Sequence, residues 1–128
     1  MSSGRVRRGE AFSRDDRLRK RREFEECYAA GVRVSGRHLQ LFLLPPGAIP
    51  RLGISVPRRV GESVTRNLLR RRVREIFRRN RDLFGTAGGN LVVNVRPSAA
   101  LATFAELAED YRSSLSKTLA RSPKPPAR

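Results

Sequence analysis

The fold is decided by residues 63–82, SVTRNLLRRRVREIFRRNRD, in which apolar side chains recur at helical spacing. Intervals of three and four positions separate the apolar residues Leu69, Val73, Ile76 and Phe77. Because residues at these intervals share one side of an α-helix, the stretch predicts a helix with a single apolar stripe. The same stripe continues through Asn80, Leu83 and Phe84. We therefore expect one side of this helix to pack on a hydrophobic core.

The remaining surface of this predicted helix is densely basic. The side opposite the stripe collects Arg70, Arg71, Arg74, Arg78 and Arg81, and a second flank carries Arg72 and Arg79. Glu75 is the only carboxylate within the Arg-rich part, so the guanidinium groups would repel one another without an outside partner. Guanidinium groups match phosphate oxygens in geometry. The pattern therefore favours nucleic-acid binding over a solvated, salt-bridged helix face.

The composition supports a polyanionic partner. The chain has 128 residues, a net charge of +16 and a pI of about 11.8, and its basic residues are 25 Arg against 3 Lys. Such an imbalance favours phosphate recognition, and the length predicts one domain. A single cysteine excludes an internal disulfide and fits a cytoplasmic setting. No apolar run reaches the length of a membrane span, so we expect no membrane partner.

The start of the chain raises one alternative about targeting. An Arg-rich, Ser-containing beginning is compatible with a transit peptide, but Glu10, Asp15 and Asp16 count against it. We expect residues 1–13 to be a flexible basic arm, residues 14–121 to be the RNA-binding domain and residues 122–128 to be a Pro-rich disordered tail.

The remaining helices and strands are predicted from the residues that end or cap them and from hydrophobic periodicity. Helices are predicted over residues 18–30 and 102–119, with Gly31 ending the first and Thr103 with Glu106 forming a capping box for the last. Strands are predicted over residues 32–34, 39–44, 51–56 and 90–96, and the short connection 45–50 suggests an antiparallel hairpin. The sum is an α+β domain of order α-β-β-β-α-β-α, with a four-stranded sheet packed on helices and one βαβ crossover.

Strand alternation divides the predicted sheet into two unlike faces. One face is apolar and comprises Leu39, Leu41, Leu43, Leu52, Ile54, Val56, Leu91, Val93 and Val95. The other is polar, basic and small, and it comprises Gln40, Phe42, Arg51, Gly53, Ser55, Asn94 and Arg96. Positive charge, a ring and little bulk suit a groove for single-stranded nucleic acid. Phe24 and Tyr28 share one side of the first helix, either as a core stripe or as a stacking platform beside that groove.

The residues that commonly perform catalysis are scarce. His38 is the only histidine and has no placed partner, so a structural or phosphate-contact role is expected. Asp15 and Asp16 are adjacent and would point apart in a helix, which disfavours a metal site. We therefore expect no catalytic residue and no protein-bound metal or cofactor.

Two runs of sequence carry a family resemblance. VTRNLLRR at residues 64–71 and RLGISVPRRVG at residues 51–61 resemble the bacterial ribonuclease P protein component, over roughly residues 17–119. The resemblance implies a left-handed βαβ crossover and a protein subunit that joins a catalytic RNA. It also implies that this RNA removes the 5′ leader of precursor tRNA with Mg²⁺ in the RNA-containing holoenzyme. In this family an aromatic pair at the positions of Phe24 and Tyr28 lines the leader groove.

The resemblance and the charge pattern together name the expected site residues. Contacts to the catalytic RNA are expected from Arg58, Arg59, Arg66, Asn67, Arg70, Arg71, Arg74 and Arg78. The leader groove is expected to use Phe24, Tyr28, Phe42, Arg51, Ser55 and Arg96. Leu68 departs from the family pattern, which usually has Arg at that position, and its helical phase predicts an exposed side chain.

Two other functions remain open on the sequence. A non-catalytic RNA-binding module, such as a ribosomal protein or RNA chaperone, would explain the charge but not the aromatic polar face beside the Arg-Asn signature. A DNA-binding protein would interleave more amide and hydroxyl side chains among its arginines to read base edges, and the Arg-rich part of the predicted helix offers only Asn67 and Asn80. We therefore expect no DNA partner.

Overall fold

The computed structural model describes residues 17–45, 49–85 and 88–122. The elements are α1 (Arg21–Ala30), β1 (Val32–Ser35), β2 (Leu39–Leu44), β3 (Pro50–Ser55), α2 (Ser63–Arg79), β4 (Gly89–Val95) and α3 (Phe104–Arg121). Short 3₁₀ segments at Arg58–Val60, Arg81–Phe84 and Pro97–Leu101 join them. The α-β-β-β-α-β-α order predicted from the sequence is confirmed. The predicted arm at 1–13 and all but the first residue of the predicted tail lie outside the described residues.

The sheet has the order β1-β2-β4-β3, which corrects one prediction. β2 and β3 do not form a hairpin, because β4 lies between them, antiparallel to β2 and parallel to β3. β3, α2 and β4 therefore form the predicted βαβ unit on adjacent strands. The left-handed crossover that the resemblance implies stays a prediction.

The apolar face of the sheet packs on α2 and α3, as the alternation predicts. The strands contribute buried leucines and valines, and α2 presents its predicted stripe of Leu69, Val73, Ile76 and Phe77. α3 adds three buried residues to the same core, Leu107, Tyr111 and Leu115. Ile54 is partly buried and packs against this cluster. The apolar sides of α2 and α3 and the apolar face of the sheet thus form one core.

A smaller cluster occupies the opposite face of the sheet and belongs to α1. Cys27 of α1 packs with Phe42 and Val92 of the sheet, together with Leu18 from the segment that precedes α1. Phe24 flanks this cluster. The polar face predicted from alternation is therefore covered at one end. Phe42 is buried there because α1 crosses over its strand.

α1 begins three residues later than predicted because the chain before it pairs with the sheet. Arg17 forms a parallel bridge with Leu52, and the Leu18 N–H donates to the Leu52 carbonyl at 2.8 Å. α1 ends at the predicted Gly31, whose N–H donates to the Cys27 carbonyl. A Cβ at this position would lie 2.5 Å from that carbonyl oxygen, so glycine is needed there. Residues 17–18 thus extend the outer edge of β3.

The other helix ends are set by capping. Asn80 ends α2 earlier than the predicted residue 82, and its side-chain amide donates to the Ile76 carbonyl at 2.7 Å. The predicted capping box of α3 is confirmed, because the Glu106 N–H donates to Thr103 Oγ1 at 3.1 Å and the Thr103 N–H donates to Glu106 Oε1 at 2.9 Å. Both features satisfy backbone groups that a helix end leaves unpaired.

Asp110 of α3 ties the turn between β1 and β2 to the helix layer. Its carboxylate accepts the backbone N–H groups of Arg37, His38 and Leu39, each at 2.9 Å. A Cβ on Gly36 would lie 2.5 Å from Asp110 Oδ1, so the turn approaches the carboxylate closely. Within the described ranges no helix combines the length and the apolar character that a membrane span requires.

Candidate nucleic-acid interface

The uncovered half of the sheet carries a row of polar side chains. Gln40 pairs in register with Asn94, and Asn94 pairs with Ser55, so the three residues form one row across β2, β4 and β3. The next row, of Phe42, Val92 and Gly53, lies under α1. α1 thus divides this face into a packed half and an open half.

A cleft lies on the open half and in the turns beyond it. Its volume is about 490 Å³, and it is lined by Gln40, Ser55, Pro57, Arg59, Asn94, Val95, Arg96 and Pro97. Arg59 and Arg96 are exposed, so two guanidinium groups lie at its border. Amides, a hydroxyl and cations are donors suited to phosphates and base edges. The structure therefore brings together Ser55 and Arg96 of the expected groove and Arg59 of the expected phosphate contacts.

Tyr28 is the aromatic residue of α1 that remains accessible. Its side chain is 41% exposed, and its hydroxyl donates to Asn94 Oδ1 at 2.9 Å. The Tyr28 ring meets the Phe42 ring edge-on, with centroids 4.8 Å apart. These contacts hold the Tyr28 ring at the boundary between the packed and open halves. The position is compatible with stacking of an unpaired base.

Phe24 instead contributes mainly to packing. It flanks the small cluster, and a Cβ on Gly53 would lie 2.6 Å from the edge of its ring. The ring therefore lies directly on the glycine backbone of β3. The sequence left open whether Phe24 and Tyr28 are core residues or a stacking platform. Phe24 is half-buried, which fits the core role, whereas Tyr28 is exposed, which fits the stacking role.

Arg51 forms contacts that anchor α1. Its guanidinium donates to Glu23 Oε2 at 2.9 Å and to the Arg17 carbonyl at 2.9 Å. Burial alone would raise the pKa of Glu23, but hydrogen bonds from Arg51 and from the backbone of Lys20 and Arg19 lower it overall. Arg51 therefore links the start of α1 to β3.

The first turns of α2 and the segment before it present the signature residues. Arg58 and Arg59 are exposed on the 3₁₀ turn that precedes α2. The guanidinium of Arg66 donates to the Gly61 carbonyl at 3.0 Å and to Ser63 Oγ at 3.2 Å. Arg70 donates to the Asn67 side chain at 2.8 Å, and Arg71 is exposed. These local contacts orient the guanidinium groups of Arg66 and Arg70.

The last turns of α2 are paired within the protein. Glu75 accepts from Arg78 Nε at 3.1 Å and from Arg79 Nε at 2.7 Å. Hydrogen bonds from Arg78 and then Arg79 lower the pKa of Glu75 from its ordinary value of 4.5 to about 2. The guanidinium carbon of Arg79 also lies 5.5 Å from the Phe104 ring centroid. The single carboxylate of the helix thus offsets part of the positive charge at its C-terminal end, and Arg78 is held by it.

The second basic flank docks on neighbouring elements. Arg72 Nη1 donates to the Ala102 carbonyl at 3.3 Å, and Arg79 lies over the Phe104 ring. Arg81, which the sequence placed opposite the apolar stripe, has its guanidinium carbon 5.1 Å from the Phe77 ring centroid. Leu68 is 39% exposed, which confirms the helix phase predicted for it. Arg74 lies elsewhere, in a second cleft with Arg70, Arg17 and Arg19. Sequence reasoning missed this grouping of Arg17 and Arg19 with α2, since only tertiary contacts create it.

The comparisons with known proteins agree with this geometry. The Ribonuclease P family profile matches residues 12–119. The ribonuclease P protein component of Arthrobacter sp. (strain FB24) is 35% identical over 83% of this chain and 79% of its own length. That of Desulfovibrio desulfuricans is 42% identical over 52% of this chain, and the match spans about half of that relative, 53%.

A solved structure shares the fold as well. The ribonuclease P protein of Thermotoga maritima superposes with a TM-score of 0.71 at 31% identity, covering 79% of this chain and 96% of the other. Both proteins therefore place a mixed four-stranded sheet among three helices. On sequence, family profile and structure, the chain belongs to the family of bacterial ribonuclease P protein components.

Proposed function

We propose that this subunit of ribonuclease P binds the 5′ leader of precursor tRNA on the open half of its sheet. The leader would contact Tyr28, Ser55 and Arg96. The other three residues expected in the groove, Phe24, Phe42 and Arg51, would support it by holding α1 and the Tyr28 ring in place. The observation that carries the proposal is the exposed Tyr28 ring, held by Asn94 and Phe42 beside a cleft with Arg59 and Arg96 at its border. An accessible ring next to cations is the combination that binds single strands without a fixed sequence.

The partner RNA subunit would be bound by the basic surface around α2. That surface would comprise Arg58, Arg59, Arg66, Asn67, Arg70, Arg71, Arg74 and Arg78. Supporting this role, the apolar stripe of α2 is buried, which turns the arginines outward or toward clefts. Arg59 borders the leader cleft as well, so one residue could contact both RNAs. Neutralising phosphates there would lower the repulsion between two RNA molecules held together.

The chemistry would be carried by the RNA subunit, with Mg²⁺ in the RNA-containing enzyme and a cytoplasmic location. Proteins usually hold Mg²⁺ through one or two carboxylates, and none of the described residues that line the leader cleft has a carboxylate. The interface described above is made of arginines, amides and a hydroxyl, which would hold and orient phosphates. The protein's part is then to bind both RNAs and to align the leader, and the family assignment disfavours a non-catalytic RNA-binding module.

Substitution of Tyr28 tests the leader site directly. In enzyme reconstituted with its RNA subunit, Tyr28→Ala should weaken binding of precursor tRNA relative to mature tRNA by roughly 1–3 kcal/mol, the value of one base stacked on a ring. Tyr28→Phe is the matched control, because it keeps the ring and loses only the hydrogen bond to Asn94. It should retain most of the preference.

The Phe24→Ala variant tests whether Phe24 belongs to the leader groove or to the packed core. Because the ring lies on Gly53 and flanks the small cluster, its removal should destabilise the protein by roughly 3 kcal/mol. Binding ratios and thermal melts would be measured for each variant. If folded Tyr28→Ala discriminates precursor from mature tRNA as the unmodified enzyme does, the leader does not use this face.

A further inference from the structure

We propose that Asn94 and Gln40, on the floor of the leader cleft, read the base of one leader nucleotide and favour adenine and cytosine over guanine and uracil. Both side chains line the cleft and are half-buried, and neither is among the leader contacts Tyr28, Ser55 and Arg96. The inference rests on the proposed function, because a single strand lying on this face is what would reach them. It adds a choice between bases to a site that otherwise binds by stacking and charge.

The orientation of the Asn94 amide is set by Tyr28. The Tyr28 hydroxyl donates to Asn94 Oδ1 at 2.9 Å, and the Tyr28 ring is itself fixed edge-on against Phe42. Within residues 17–45, 49–85 and 88–122 nothing accepts from the Asn94 amide nitrogen. Because an amide nitrogen carries two N–H donors and no acceptor, Asn94 offers only donors to a ligand.

The amide of Gln40 is oriented in the opposite sense by the outer strand. Its Nε2 donates to Ser35 Oγ at 2.9 Å, and Ser35 is its register partner on β1. No donor in the described part of the chain reaches Gln40 Oε1, so Gln40 offers an acceptor to a ligand. Gln40 is also the register partner of Asn94. The floor of the cleft therefore presents an acceptor beside a donor.

The cations at the border set the direction in which a nucleotide would lie. Arg59 follows β3 and Arg96 follows β4, whereas Gln40 lies on β2, on the far side of β4 from β3. A phosphate held by the two guanidinium groups would place the sugar side of the base toward Ser55 and the opposite end of its pairing edge toward Gln40. The cleft volume, about 490 Å³, falls within the roughly 300–1,000 Å³ of pockets that enclose one small molecule. It therefore has room for a single nucleotide.

Adenine and cytosine match this order of groups, and guanine and uracil oppose it. In adenine and cytosine the amino group would donate to Gln40 Oε1, and the ring nitrogen in the middle of the pairing edge would accept from Asn94 Nδ2. Guanine and uracil carry an oxygen in place of that amino group and an N–H in the middle of the edge. They would set acceptor against acceptor and donor against donor. A site built on hydrogen bonds rejects a ligand that leaves its polar groups unpaired.

Precursor tRNAs that differ in one leader nucleotide test this choice in enzyme reconstituted with its RNA subunit. Each leader position near the cleavage site would carry A, C, G or U in turn. At one position, A and C should bind roughly tenfold more tightly than G and U, the lower part of the range for a bidentate base contact. Equal binding of the four bases at every position, or a preference for G and U, would overturn the proposal.

Two substitutions that add the same charge to the cleft locate the effect at Asn94. Asn94→Asp keeps an acceptor for the Tyr28 hydroxyl but replaces the amide donors by a carboxylate oxygen, so the preference should turn toward G and U. Gln40→Glu is the matched control, because it adds the same charge to the cleft and keeps the acceptor. It should still prefer A and C. Both variants should lose overall affinity by repelling phosphates, so the ratio between bases is the measured quantity.

A preference for A and C that survives in Asn94→Asp would contradict the assignment. Thermal melts establish whether the variant folds. If it does not, Asn94→Ala takes its place, and the ratio between bases should then fall toward one because the donors are absent.

Tyr28→Phe separates base reading from stacking. The ring remains, so the variant should still prefer precursor to mature tRNA. Without the hydroxyl the Asn94 amide is free to turn, and the ratio between bases should fall several-fold. An undiminished ratio would overturn the orienting role of Tyr28. If Tyr28→Ala weakens precursor binding while the four bases bind alike, the leader site stands and the base reading fails; if neither effect occurs, both fail.

Discussion

At the scale of single residues, Leu68 lies where the resemblance to the family implies an Arg, and its side chain is substantially exposed. Leu68→Arg should change the free energy of unfolding by less than about 0.5 kcal/mol, as for other surface substitutions. It should also tighten binding of the RNA subunit, or lower the magnesium needed for cleavage, by one phosphate contact. Thermal melts and cleavage assays titrated in magnesium measure the two effects.

The matched control for this substitution is Val64→Arg. Val64 is 78% exposed and lies one turn earlier on α2, so the variant adds the same charge at a neighbouring position. A gain shared equally by both variants would reflect charge alone. A marked loss of stability in Leu68→Arg would contradict the exposed position of the side chain.

Asp110 is expected to be a single-residue determinant of stability. Hydrogen bonds to a charged group are worth roughly 1.5–3 kcal/mol each, and Asp110 accepts three backbone N–H groups from one turn. Because water can replace part of these hydrogen bonds, we expect less than their sum. Asp110→Ala should lower the free energy of unfolding by about 3 kcal/mol in urea titrations. Glu109→Ala, an exposed neighbour on α3, should change it little. Similar values for both variants would mean that the turn is held by other contacts.

At the scale of elements, α2 carries arginines at both ends, and its one carboxylate offsets part of that charge at the C-terminal end. Glu75 pairs with Arg78 and Arg79, and these hydrogen bonds lower its pKa to about 2. A lowered pKa contributes stability that is fully present above the ordinary value of 4.5 and is lost as the pH falls toward 2. The stability difference between the unmodified protein and Glu75→Gln should therefore be constant near neutral pH and shrink below about pH 4.5.

The same substitution has a second readout. Because Glu75→Gln removes the negative charge beside Arg78 and Arg79, it should also raise affinity for the RNA subunit. Denaturant titrations across the acidic range and binding assays at neutral pH measure the two effects. A stability difference that is unchanged down to pH 2 would show that the ion pairs of Glu75 do not persist in solution.

At the scale of the whole molecule, a net charge of +16 should make RNA binding depend steeply on salt. Log affinity falls linearly with log salt by about 0.7 to 0.9 per phosphate neutralised. Replacing Arg70, Arg71 and Arg74 together by Gln should flatten that slope by roughly two to three units. Filter-binding or fluorescence titrations at several salt concentrations measure the slope.

A triple variant on α3 controls for net charge. Arg112, Lys117 and Arg121 are exposed on that helix, and their replacement by Gln removes the same number of charges. The slope should change much less than for the α2 variant. An equal change would indicate that the protein contacts RNA through charge alone, without a preferred helix.

The sequence by itself determined the elements, their faces and the charge of the molecule. The helical period of α2, the alternation of β2 and the capping box at Thr103 all appear in the structure where they were predicted. The exposure of Leu68 followed from helix phase alone. These features are local, because a residue's place on a helix or strand depends only on the period of that element.

Only the tertiary structure decided how those elements share the site. It placed β4 between β2 and β3 where a hairpin was predicted. It laid α1 over half of the polar face, which separated the packed Phe24 from the exposed Tyr28. It also paired Arg51 with Glu23 and brought Arg17 to Arg74. These outcomes depend on contacts between residues far apart in the chain, and such contacts leave no periodic signal in the sequence.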